Sequence, residues 1–281
     1  MLLALFNSAA TFACSCCSTR ALSAWPGAQN SQSNDSVSSQ PIHSSDSWPN
    51  SSTINHGRGG ADSLKAHGCN LALNAKSGPK GIELISSSGN SDLDFRIQRE
   101  SDFLGTAFGV RPGLSYFNDR GAPNALATPD TFLGKQDGSV LFGIILAKLE
   151  MQANINSLGG GLMIILAHEW AHIYQFKRRL KAPVPKMELQ ADFMAGWYLT
   201  ARIINQIGFY GTPAQQQGNL EILVASQSLF NKGDYQFNNP QHHGTPKQRY
   251  RAMELGMQLA LEGNSNLDQI FEISKRHTGL V

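Results

Sequence analysis

The chain has 281 residues, with 23 Lys+Arg against 21 Asp+Glu and a formal net charge of +2. So balanced a chain lacks the basic excess expected of a nucleic-acid binder, and no apolar run reaches the roughly 18–20 residues that span a bilayer. The charged fraction of 16% lies well below the ~25% of average soluble domains, and four cysteines (Cys14, Cys16 and Cys17 together, Cys69 apart) are too few for a disulfide framework.

Residues 1–13 (MLLALFNSAATFA) are apolar and small, like the h-region of a secretory signal, although no Lys or Arg precedes Arg20. We read 1–28 as a targeting segment and expect an exported protein: periplasmic, in the cell envelope, or secreted. In residues 29–56, ten Ser and four Asn make up half of 28 positions, with no Lys, Arg or Glu. Such a stretch buries too little apolar surface to offset its ordering entropy. Gly and Ser stay frequent to about residue 90, broken by short apolar stretches at Leu71–Leu73 and Ile82–Ile85. The expectation is a linker over 29–90 and one folded domain over 91–281.

Within that domain Asp92–Leu104 has helical spacing, and Leu114–Phe117 alternates as a strand. Asn124–Thr128 also alternates and stops at Pro129, a residue tolerated mainly at strand edges or ends. Ser139–Leu146 is a β-branched and aromatic run leading into a helix through Met151. The second half predicts helices over Leu162–Lys181, Met187–Gln206, Asn219–Phe230, Pro246–Leu261 and Leu267–Lys275, with a break at Pro183/Pro185. Strands first and helices later indicate an α+β fold: a small, partly antiparallel sheet with an edge strand, then a mainly helical half. Gly208–Gly218 and Gly233–Gln241 read as mobile loops.

The chemistry centres on His168-Glu169-Trp170-Ala171-His172, an HExxH sequence. Residues i and i+4 of a helix share a face, so both imidazoles can hold one Zn²⁺ while Glu169 projects beside them as general base. Alone the motif carries a false-positive risk. The preceding Leu162–Ala167 is apolar all round, however, and a buried helix carrying two His and a Glu needs partners for them. Glu188 and Asp192 share a face of the next helix and suit a third ligand and an acceptor for a ligand's outer N–H. Gln175, one turn past His172, can contact substrate or the metal's surroundings, or simply be a polar helix residue. Thr245 and Pro246 open a helix as N-cap and N1. His243 and Arg249 beside them can stabilise an oxyanion, or be ordinary polar residues near a cap.

His168–His172 with Glu188-x-x-Ala-Asp192 resembles the gluzincin zinc metallopeptidases. More narrowly it is similar to the family of the CAAX prenyl protease and HtpX with their soluble periplasmic relatives. The string HEWAHIYQ…ELQADFMAGWYL…HGTPKQR also resembles bacterial neutral zinc metallopeptidases. The resemblance covers about residues 120–281. It implies a zincin-like domain and one zinc per chain on His168, His172 and Glu188, with Glu169 as general base and Asp192 behind a ligand. It further implies that His243 and Arg249 face the transition state. Asn124, Ala125, Leu126, Ala127 and Thr128 would then pair with extended substrate by β-addition. Two departures stand out: Gly rather than Pro follows His243, and the membrane helices of the integral members are missing, so a prenylated substrate is not implied. The expected activity is a zinc-dependent endopeptidase acting on protein or peptide. The alternatives are a non-catalytic, chaperone-like zinc module and a zinc hydrolase of another amide.

Overall fold

The computed structural model describes residues 70–71, 82–119, 123–153, 159–207, 225 and 243–280, all within a compact unit running from Asp62 to Val281. The expected targeting segment, the Ser/Asn tract, the helix over Asn219–Phe230 (Ala225 apart) and both glycine-rich loops lie outside the described residues.

The described elements are β1 (Asn70–Leu71), β2 (Leu84–Ile85), α1 (Ser91–Phe108), β3 (Gly113–Phe117), β4 (Ala125–Thr128), β5 (Ser139–Gly143), α2 (Ile144–Ala153), α3 (Gly160–Lys177), α4 (Val184–Ile207), α5 (Pro246–Leu261) and α6 (Leu267–Thr278). The fold is α+β: a small mixed sheet, with helices making up most of the rest. Among the described residues no helix is long and apolar enough to cross a membrane.

The strands run in the order β1-β4-β5-β3-β2, with β1/β4 and β3/β5 parallel and β4/β5 and β2/β3 antiparallel. Here the structure departs from expectation twice. First, β1 and β2 lie before residue 91, inside the stretch read as linker, and β2 falls within the apolar Ile82–Ile85. Second, β4 is not an edge strand, because its outer side pairs with β1 in the register Asn70↔Leu126 and Leu71↔Ala127. All four residues of β4 are buried. Covering such a strand satisfies amide groups that would otherwise template association with other chains.

β5 turns directly into α2 because Asp119 caps the junction. Its carboxylate accepts from the N–H groups of Ile145 (2.9 Å), Leu146 (3.0 Å) and Asn124 (3.3 Å). These are the unpaired donors of a helix start together with the entrance to β4. Gly143 leaves room for that carboxylate, since a Cβ there would lie 2.1 Å from Asp119 Oδ2.

In α3 every residue from Gly160 to Gln175 except Met163 is buried, as its apolar sequence demands. The helix ends at Lys177 rather than Lys181 because Arg179 turns left-handed (φ 53°). The Leu180 N–H then donates to Gln175 O (3.0 Å) and the Arg179 N–H to Phe176 O (2.9 Å), the crossed bonds of a helix-terminating turn. α4 begins within the Pro183/Pro185 break, with Pro185 in its first turn, where a missing N–H costs nothing. α4 and α5 cross at Gly196 and Gly256, where an added Cβ would lie 2.3 Å from Met253 O and 1.8 Å from Phe193 O respectively. Backbone therefore meets backbone at this crossing.

Candidate metal centre

His168 and His172 stand one turn apart on α3, with Nε2 atoms 3.0 Å apart and rings at 90°. From the first turns of α4, Glu188 places Oε2 3.3 Å from His168 Nε2 and Oε1 3.3 Å from His172 Nε2. All three side chains are fully buried. A tetrahedral ion with bonds of about 2.0–2.1 Å separates its ligand atoms by about 3.3 Å. Each Glu188 oxygen has that spacing from one histidine, the two imidazoles are slightly closer at 3.0 Å, and a group of this kind can hold a metal ion.

The surrounding hydrogen bonds decide which ring nitrogens are donors. His168 Nδ1 lies 2.9 Å from Asp192 Oδ1, a carboxylate that only accepts. His172 Nδ1 lies 2.8 Å from Gln175 Oε1. That amide cannot be reversed, because its Nε2 donates to the backbone oxygen of Met187 at 2.9 Å. Both Nδ1 atoms therefore carry a proton, which leaves the two Nε2 atoms, facing each other and Glu188, as the positions that can take a metal ion or one further proton. Three electron-rich atoms converging in a buried space call for a cation.

Charge in the cluster is consistent with this. Arg249 clamps Asp192 with Nε on Oδ2 and Nη2 on Oδ1, each at 2.7 Å, and both residues are fully buried. Burial pushes the Asp192 carboxyl up, but the guanidinium beside it outweighs that and holds it below its ordinary value. Arg249 thus balances Asp192 and leaves the charge of Glu188 to be met. Burial also opposes ionisation of Glu188, yet His172 and His243 hold it well below the usual carboxylate range. Burial likewise disfavours a charged His168, but Asp192 and Glu188 overcome it and raise the imidazole to about 9. In the metal-free protein a proton on His168 does part of the cation's work.

The remaining expected residues fall around this centre. Glu169 is fully buried on α3 beside His168. His243 places Nδ1 3.1 Å from Glu188 Oε2, held there by a Gly244 turn (φ 89°) before the Thr245/Gln248 capping box that starts α5. Arg249 was expected to face a transition state. Its guanidinium instead embraces Asp192, so it acts through the carboxylate that orients His168. Gln175 is bonded to His172 Nδ1 behind the candidate centre. Asn124–Thr128 sit in and before β4, which packs against α3, and β1 covers the outer side of that strand.

Two residues near the centre had no expected role. Gln190 lies between Glu188 and Asp192 in the same motif, and its Oε1 accepts from Gln175 Nε2 at 3.0 Å. Its own Nε2 donates to Ser274 Oγ on α6 at 3.0 Å. The first was detectable as an amide inside the Glu188–Asp192 motif; the second carries no local signal.

Compared with known proteins, the chain matches no family model, no curated protein and no solved structure.

Proposed function

We propose that the chain is a zinc-dependent endopeptidase. The observation that carries this reading is the buried convergence of two Nε2 atoms and one carboxylate within 3.0–3.3 Å, a three-ligand set of the kind that leaves a fourth position for water. Zinc is favoured over harder cations by the two imidazoles. The resemblance of the HExxH and ExxAD segments to gluzincin peptidases supports the same choice.

When bound, zinc would supply Lewis acidity and lower the pKa of a coordinated water. The chain's own residues do the rest. His168, His172 and Glu188 hold the ion, and Asp192 with Arg249 orients the first imidazole. Glu169 takes the proton from the attacking water and returns it to the departing amine. Of the late pair, His243 is the one we assign to the developing oxyanion, since the Arg249 fork is engaged by Asp192. The burial of the whole cluster strengthens each of these electrostatic terms.

The deciding comparison is wild type against Glu169→Gln, with zinc content and peptide cleavage measured on both. Each protein should carry about one zinc, and cleavage by the variant should fall about 10²–10⁴-fold. A zinc-loaded variant that still cleaves peptides at the wild-type rate would sink the mechanism.

Addition of substrate to β4 would require the β1 segment to leave. Proline lacks the N–H that strand pairing uses. The double substitution Asn70→Pro/Leu71→Pro in the full chain should therefore raise kcat/KM for peptides severalfold. Unchanged or lower kcat/KM in a protein of unchanged stability would mean that substrate does not use this side of β4.

A further inference from the structure

A line of hydrogen bonds runs from the candidate metal centre to the last helix of the chain, and its polarity is set at two points by backbone oxygens. Met187 O accepts from Gln175 Nε2 at 2.9 Å, and Phe271 O accepts from Gln190 Nε2 at 3.3 Å. A carbonyl can only accept, so neither amide can be turned over. Gln175 Oε1 must then face His172 Nδ1, and Gln190 Oε1 must face Gln175 Nε2. Ser274 completes the line: its hydroxyl donates to Phe271 O at 2.7 Å and accepts from Gln190 Nε2 at 3.0 Å. His172, Gln175, Gln190 and Ser274 are all fully buried, so water cannot substitute for a lost partner.

We infer that Gln190 and Ser274 are positioning residues for the metal centre: through Gln175 they hold the proton of His172 on Nδ1 and its lone pair on Nε2. The docking of α6 thereby adds a second hold on Gln175 beside the one that Met187 O supplies. That docking has its own supports. Tyr174 on α3 donates to Asp268 at 2.8 Å and meets Phe271 edge-on at 5.3 Å, while Phe193 on α4 stacks with His277 at 5.6 Å. His168 takes its orientation from Asp192 and is independent of α6. The inference rests on His172 being a metal ligand, and it does not depend on peptidase activity.

The test uses the full chain with Gln190→Met, Ser274→Ala and Ser274→Thr. Zinc affinity is measured by chelator competition, and the ring nitrogens of both histidines by ¹⁵N NMR. Gln190→Met should weaken zinc binding severalfold, less than the roughly 10–100-fold found when a ligand's direct outer partner is lost, because Gln175 keeps its bond to Met187 O. It should broaden or shift the Nδ1–H signal of His172 while leaving that of His168 in place. Ser274→Ala should show the same pattern more weakly, and Ser274→Thr should restore it. If Gln190→Met fails to fold, the Ser274 pair decides. Folded variants with wild-type zinc affinity and an unmoved His172 signal would overturn the inference. A wild-type chain that binds no zinc would instead overturn the metal reading itself.

Discussion

The two histidines present the same Nε2 atom to Glu188 and are held in opposite ways from behind. His168 leans on a charged pair, Asp192 clamped by Arg249, delivered by α4 and α5. His172 leans on two neutral amides and a hydroxyl, ending on α6. The charged arm makes its imidazole more basic. The neutral arm sets direction without adding charge. A site built with two carboxylates behind its ligands would need more positive charge than one buried Arg provides.

The largest effect should come from breaking the charged arm. Asp192→Ala leaves Arg249 buried without its counter-ion, and removing one partner of such a pair costs about 3–5 kcal/mol. Urea unfolding should register that loss, well beyond the effect of Gln190→Met. Replacing both partners, Asp192→Leu with Arg249→Met, should recover much of the stability and none of the zinc affinity. Equal losses from Asp192→Ala and Gln190→Met would erase the distinction between the arms.

A smaller effect sharpens it. His168 is raised to about 9 in the metal-free protein, whereas free histidine titrates near 6.5. A folded-state value above the unfolded one means the proton stabilises the fold fully below about 6.5. That contribution fades as pH rises through about 9. On the proposed reading zinc would displace this proton, so binding at pH 7.5 should release about one proton, as read by calorimetry in buffers of different ionisation enthalpy. Asp192→Asn should reduce the release. No release from the wild type would place the proton elsewhere.

Much of the helical half was legible because its signals are local. The start of α5 follows from Thr245 and Pro246, two adjacent signals of a helix N-terminus. His168 and His172 share a face by spacing alone, and Glu188 needed only one return helix. What escaped depends on distance in the chain. Arg249 reads from sequence either as an oxyanion contact or as a polar residue near a cap; its partner lies 57 residues away, and nothing local distinguishes a guanidinium that meets substrate from one that clamps Asp192. The Gln190–Ser274 contact spans 84 residues. β1 is two residues long within a Gly- and Ser-rich stretch, too short for any alternation to show. Asn124–Thr128 was read as strand from its alternation, yet being an edge is a property of the neighbours.

The glycine crossing of α4 and α5 has a consequence for how this protein can change. Gly256 lies seven residues, two helical turns, after Arg249, so the crossing and the guanidinium sit on one stripe of α5. With backbone against backbone at Gly256, that helix cannot roll to absorb an error. One residue inserted between the two positions would swing Arg249 about 100° around the axis, away from Asp192. Length variation in α5 is therefore confined to the turns beyond Gly256, and the spacing of these two residues serves as a ruler for the site.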